Sequence, residues 1–177
     1  MFSNIKADIA QLDNGKTTIR GFIRGLLSQG FQAILVYRFF SWLNKKGLSA
    51  QPLRFCCERV IEMTTGISIP AACRIAKGLR IHHFGGIILH PSVTIGENCI
   101  MYHQVTIGDI GGTGNAARIG NNVMIGAGAK IIGEITIGDN CKIGANTVVN
   151  TDLPSNSIAF GNPARIKTQQ HNGHTIR

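Results

Sequence analysis

Aliphatic residues recur at every sixth position across residues 119–149, which read IGNNVM IGAGAK IIGEIT IGDNCK IGANTV V. Ile119, Ile125, Ile131, Ile137, Ile143 and Val149 head the units, and glycine follows the head in four of the first five. Helices repeat near 3.6 residues and strands near 2, so a period of six predicts neither. It predicts one short strand plus a corner per hexad. Three hexads, about 18 residues, close one turn of a triangular coil, and coils stack at roughly 4.8 Å. The head residues point inward and fill an interior that no single repeat could bury alone. Glycine after the head permits backbone angles that a bulky side chain resists.

Upstream the pattern changes. Residues 1–66 read as helical: Ile19, Phe22, Ile23, Leu26 and Leu27 recur at helical spacing with Arg20 and Arg24 between them, and Gly30 interrupts before a second apolar segment, AILVYRFFSWLNKKG. That segment is too short and too charged to cross a bilayer of about 30 Å. Its aromatic residues beside basic ones suit either the surface of an anionic membrane or packing on the coil. Pro52 opens a third helix, closed by Gly66. The coil then runs over 67–165. Ile69, Ile75, Ile81 and Ile87 keep the frame, and Ile95 falls two positions late after Ile87, which places two extra residues near His90 and Pro91. Between Ile107 and Ile119, DIGGTGNAAR breaks the pattern and reads as a loop leaving the coil, over 109–118, or as one degenerate hexad with Thr113 inward. Residues 166–177 form a tail.

Composition narrows the reading. Twenty-two glycines and only 6% aromatic residues suit a coil filled by Ile and Val. The net charge of +9 points to anionic partners, phosphates or an acidic membrane surface. Nucleic acid is not expected, since the cations are dispersed among aliphatic repeats and no nucleic-acid module is recognisable. Five cysteines without a CxxC spacing favour a reducing compartment. With no cleavable signal at the N-terminus, the expected location is cytoplasmic, with residues 1–50 as the segment for peripheral contact with the inner face of the membrane.

Candidate chemistry centres on two histidines. His83 and His103 each stand third in a hexad, separated by one full turn plus the two extra residues, so they share a side one coil apart. Two imidazoles over one groove can supply a general base and a polar substrate contact. A zinc site is not expected: His82 and His83 are adjacent and point to opposite faces, and no second close pair accompanies them. DIGGTGN lacks the Gly-Lys-Ser/Thr ending of a P-loop but can offer backbone N–H groups to an anion. Lys130, Lys142 and Arg165 can meet phosphates by direct charge.

VMIGAGAKIIGEITIGDNCKIGANTVV followed by GNPARI closely resembles the C-terminal half of serine acetyltransferases and related hexapeptide-repeat acyltransferases, and GLRIHHFGGIIL resembles the segment carrying their catalytic histidine. The resemblance covers roughly residues 67–167. It implies a mainly β fold, a left-handed parallel β-helix of hexapeptide repeats after a short N-terminal α-helical segment, assembled as a homotrimer with acetyl-CoA lying between adjacent coils. Position by position, it implies His83 as catalytic base. It implies Gly108, Ala127 and Ala145 along the pantetheine arm, and Lys142 and Arg165 at the nucleotide end. No metal is implied.

The departures bear on the acceptor. Serine acetyltransferases carry Asp where this chain has His82, Asp where it has Ser68, and an Arg-His pair where it has Asn115 and Ala116. Each lost charged contact is worth about 1.5 to 3 kcal/mol. Together with LVYRFFSWLNKKG before the coil, they make the chain resemble the exopolysaccharide, capsule and colanic-acid branch. The expected activity is therefore acetyl transfer from acetyl-CoA to a hydroxyl of a sugar or glycan precursor, with Ser68, His82 and His103 as substrate contacts. L-serine O-acetylation for cysteine biosynthesis and a non-catalytic trimeric scaffold of a polysaccharide assembly complex are the alternatives.

Overall fold

The computed structural model describes residues 1–168 apart from 14, 49 and 113. Thr113, His171, His174 and the expected tail beyond residue 168 lie outside the described residues. Four helices lead into the coil: α1 (Phe2–Leu12), α2 (Ile19–Leu26), α3 (Gln29–Lys45) and α4 (Gln51–Thr65). Thr18 caps α2 by accepting a hydrogen bond from the Gly21 amide at 2.9 Å. Pro52 opens α4, and Gly66 closes it in a left-handed conformation with φ 65°.

The coil follows as three strands per turn. The first turn holds β1 (Ile67–Ser68), β2 (Arg74–Ile75) and β3 (Arg80–Ile81), and the second holds β4 (Ile87–Leu89), β5 (Thr94–Ile95) and β6 (Ile100–Met101). The third holds β7 (Thr106–Gly108), β8 (Arg118–Ile119) and β9 (Met124–Ile125); the fourth holds β10 (Lys130–Ile132), β11 (Thr136–Ile137) and β12 (Lys142–Ile143). The last turn has β13 (Val148–Val149), a single bridge at Leu153, and β14 (Ser157–Phe160), against which β15 (Arg165–Thr168) returns antiparallel. All other pairings are parallel, giving three sheets, β1-β4-β7-β10-β13, β2-β5-β8-β11 and β3-β6-β9-β12-β14-β15. This is the parallel β-helix expected from the hexads.

Register pairing shows the interior directly. Ile75, Ile95, Ile119 and Ile137 stack in one column, and Ile81, Met101, Ile125 and Ile143 in another. All are buried. Such a stack leaves an open end at its first turn, where unpaired strands and apolar side chains would meet water. Helix α3 closes that end: Ala33, Ile34 and Tyr37 join the same core cluster as Ile67, Ile75 and Ile81.

Polar contacts lock the cap. The Tyr37 hydroxyl donates to the Cys73 carbonyl at 2.9 Å and accepts from the Ile75 amide at 3.0 Å. Arg38 forms a two-pronged pair with Asp8 at 2.9 and 3.0 Å and donates to the carbonyls of Ile75 and Ala76. Asp8 also accepts from the amides of Gly78 and Leu79. Both charges are buried, so each is stable only while the other stays in place.

Several expectations need correction. Gly30 does not separate helices; it lies in the first turn of α3, where an added Cβ would come within 2.8 Å of Ile81, so glycine lets α3 approach the coil. The aromatic segment is divided: Tyr37 and Phe40 are buried in the cap, while Phe39 and Trp42 are exposed, so only part of it is available for the expected membrane face. No helix among the described residues is long and apolar enough to cross a membrane.

The two extra residues are also not near His90 and Pro91. Leu89 pairs with Ile107, three plain hexads further along the chain, whereas Ile81 pairs with Met101, which lies two positions beyond three hexads. The insertion therefore falls between Ile81 and Leu89, at the corner carrying His83. Ile87 and Leu89 are both buried, which is why the frame seen in sequence could settle on either. The segment after Gly108 is no degenerate hexad, because Ile107 pairs with Ile131 and Ile95 with Ile119, leaving it outside the coil.

Candidate active site

The corner between β3 and β4 holds the histidines. His83 has φ 65°, a left-handed conformation that side chains other than glycine adopt rarely. It marks the point where the inserted residues leave the coil, and Gly85 and Gly86 follow with φ 94° and 68°. The end of α4 presses on this corner: a Cβ on Gly66 would come within 2.9 Å of the Gly85 Cα. The excursion is therefore held from below by the helix and from above by the Gln104 amide, which donates to the Gly85 carbonyl at 2.9 Å.

His83 and His103 meet edge to face, with ring centroids 5.6 Å apart. His83 is exposed, while Nδ1 of His103 is buried without a hydrogen-bond partner. His82 stacks on Tyr102 at 4.9 Å with an interplanar angle of 12°. Burial, and then the positive field of Arg80 and His83, holds the His82 pKa below the ordinary histidine value. Tyr102 is the residue that sequence reasoning missed. The step along the chain that relates His83 to His103 also relates His82 to Tyr102, so the signal was available.

Ala127 and Ala145 continue the same corner on the next two coils. The Gly128 amide donates to the His103 carbonyl and the Asn146 amide to the Ala127 carbonyl, which stacks the corner segments. Ala127 is half-buried and Ala145 exposed, so the corner carries small side chains on the coils beyond the histidines. Lys142 is exposed on β12 and shares a row with Ile158 and Lys167; Arg165, two residues before Lys167, belongs to the same basic face. Arg165 also lines a groove of about 340 Å³ with Phe160 and the residues between them.

Other candidate residues lie apart. Ser68, on β1, lines a cavity of about 90 Å³ with Tyr37, Glu58 and Arg59, which none of the histidines lines. Gly108 ends β7, where the loop departs, with open space beside it apart from Ile132 at 3.9 Å. Lys130 is tied to the coil below, donating to the Gln104 carbonyl at 2.7 Å and the Thr106 hydroxyl at 3.0 Å, so its charge is partly engaged. No contact joins His83 to a carboxylate among the described residues; Asp109 accepts from the Gly114 amide and Glu62 pairs with Arg59. Among the described residues, no three His, Cys, Asp or Glu side chains gather as metal ligands would.

On the outer face of the second sheet, Arg74 and Arg118 flank Thr94 in register. With Ser92, Asn115 and Glu134 they line an open bay of about 500 Å³. The base of the loop is pinned there, since the Ala116 amide donates to the Ser92 hydroxyl at 2.9 Å and Asn115 donates to Glu134 at 3.0 Å.

Comparison with known proteins gives the arrangement its context. The family described as bacterial transferase hexapeptide (six repeats) matches residues 116–151. A serine acetyltransferase of Helicobacter pylori is 37% identical over 149 residues, spanning 81% of this chain and 84% of the relative. The crystal structure of a Brucella abortus serine acetyltransferase in complex with coenzyme A superposes with a TM-score of 0.85 at 29% identity, over 95% of this chain and 68% of that one. A Neisseria gonorrhoeae serine acetyltransferase in complex with serine superposes with a TM-score of 0.82 at 31% identity, over 93% and 68%. These matches overturn the expected placement in a polysaccharide-modifying branch and, with it, the sugar acceptor: the similar proteins are serine acetyltransferases.

Proposed function

From the premise that this chain belongs to the serine acetyltransferase family and is an acetyl-CoA-dependent acyltransferase, we propose that it transfers acetyl from acetyl-CoA to the hydroxyl of L-serine. The observation that carries the reading is the corner itself: an exposed His83 on a strained backbone, backed edge to face by His103, with Ala127 and Ala145 at the same corner of the next two coils. Its counterparts are proteins whose structures hold CoA in one case and serine in another.

In this reading neutral His83 takes the serine hydroxyl proton as the oxygen attacks the thioester carbonyl. The tetrahedral oxyanion collapses, the C–S bond breaks, and the proton passes to the departing CoA thiolate. Backbone N–H groups of the corner stabilise the oxyanion. Ala127 and Ala145 flank the pantetheine arm, and Lys142 and Arg165 meet the nucleotide phosphates by charge.

The amino-acid acceptor needs an anionic and a cationic contact, which the lost Asp and Arg-His positions no longer provide. The bay of Arg74, Arg118 and Glu134 offers both signs beside the loop. Assembly as a homotrimer would let one subunit's bay face the histidine corner of another. Exposed Phe84, Ile88 and Ile110 around corner and loop suit such a contact.

The test is release of free thiol from acetyl-CoA. L-serine should sustain it and L-alanine, which lacks the hydroxyl, should not; equal rates with both would remove serine as the acceptor.

A further inference from the structure

Helix α2 is mounted inside out. At helical spacing Ile19, Phe22, Ile23 and Leu26 occupy one arc, the stripe that a surface helix ordinarily turns to the core. Here Ile19 is 81%, Ile23 55% and Leu26 43% exposed, and Leu27 just beyond is 80% exposed. The buried positions are Gly21 and Gly25. A Cβ at Gly21 would come within 2.9 Å of the Asp13 Cβ, and one at Gly25 within 2.7 Å of the Phe31 ring. The two glycines seat the helix backbone-first on α1 and α3, so its large apolar side chains all face outward.

We propose that α2 docks this protein on an anionic lipid surface, lying in the plane of the headgroups with its apolar arc inserted. This goes beyond acetyl transfer and does not depend on it. Charge selects the occupant. Lys16, Arg20 and Arg24 are exposed on or beside the helix, no Asp or Glu occurs between Asp13 and Glu58, and Asp13 itself is half-buried against the glycine face, away from the apolar arc, where it accepts from the Thr18 hydroxyl. Apolar residues flanked by cations match acyl chains beneath phosphate headgroups. A second copy docked by twofold symmetry would set Arg20 and Arg24 near their own like charges.

The test is co-sedimentation of the full chain with vesicles of phosphatidylcholine alone or mixed with phosphatidylglycerol. Wild type binds the mixed vesicles, less as salt rises, and the neutral ones weakly. R20E/R24E and F22S/L26S each lower partitioning at least about tenfold while serine-dependent thiol release stays unchanged. No binding to mixed vesicles at low salt, or variants that bind like wild type, would overturn the proposal. So would F22S/L26S altering oligomeric state in the absence of lipid, since the arc then belongs to a protein contact.

Discussion

His83 and His103 stand one coil apart with their rings edge to face at 5.6 Å, although more than a full turn of chain separates them. The contact exists because the insertion between Ile81 and Leu89 lengthens the first turn by two residues without shifting the columns of the coil. His103 therefore backs the exposed His83 rather than competing for its place. His103→Ala is expected to lower kcat/KM for acetyl transfer about tenfold, the scale of one lost polar contact, and His103→Asn to restore part of it. An unchanged kcat/KM in His103→Ala would leave the edge-to-face contact without a catalytic role.

The buried pair of Asp8 and Arg38 fastens the helical cap to the first coil. Asp8→Ala strands the Arg38 guanidinium and the amides of Gly78 and Leu79, and should cost about 3–5 kcal/mol in chemical denaturation. Asp8→Asn keeps an acceptor for those amides and should cost less. Equal losses would mean that the charge, not the acceptor, holds the cap.

Stability should fall on acidification through His82. Its folded-state pKa lies below the ordinary value, so the unfolded chain binds the proton more readily. The neutral ring's contribution is whole above the unfolded pKa near 6.5 and is lost as pH falls toward the folded value. The Tm of wild type should drop further between pH 7.5 and pH 5.5 than that of His82→Gln, and equal drops would assign the acid sensitivity to other groups.

The cysteines should divide by burial. Burial pushes the Cys73 thiol up to about 12 and the Cys99 thiol up to about 11, and raises Cys141 as well. Cys56 is exposed and Cys57 half-buried on α4. A thiol reagent under native conditions should modify Cys56 first and leave Cys73, Cys99 and Cys141 untouched until unfolding. Native labelling of Cys99, read by peptide mass, would show that the coil opens.

The coil was legible because its period is set by geometry: only an inward head every sixth residue fills a triangular interior, and the columns through Ile119, Ile125 and Ile137 follow it. The spacing of His83 and His103 was legible for the same reason. The position of the insertion was not, since Ile87 and Leu89 both point inward and either could continue the frame. Long-range partners such as Asp8 and Arg38 leave no local pattern, beyond an arginine placed inside an apolar run. The orientation of α2 inverts the rule by which amphipathic helices are read. Its clue was the pair Gly21 and Gly25 on the face opposite the apolar arc. The sugar acceptor, drawn from the charges absent at positions 68, 82 and 115–116, is set aside by the similarity to serine acetyltransferases, and the bay of Arg74, Arg118 and Glu134 proposed for the acceptor joins residues too far apart in sequence to form a local motif.

The role of His83 as the base is decided by steady-state thiol release from acetyl-CoA with L-serine. His83→Ala should lower kcat by about 10²- to 10⁴-fold with the coil's melting behaviour unchanged. A variant that retains wild-type turnover would contradict the assignment of His83 as the base.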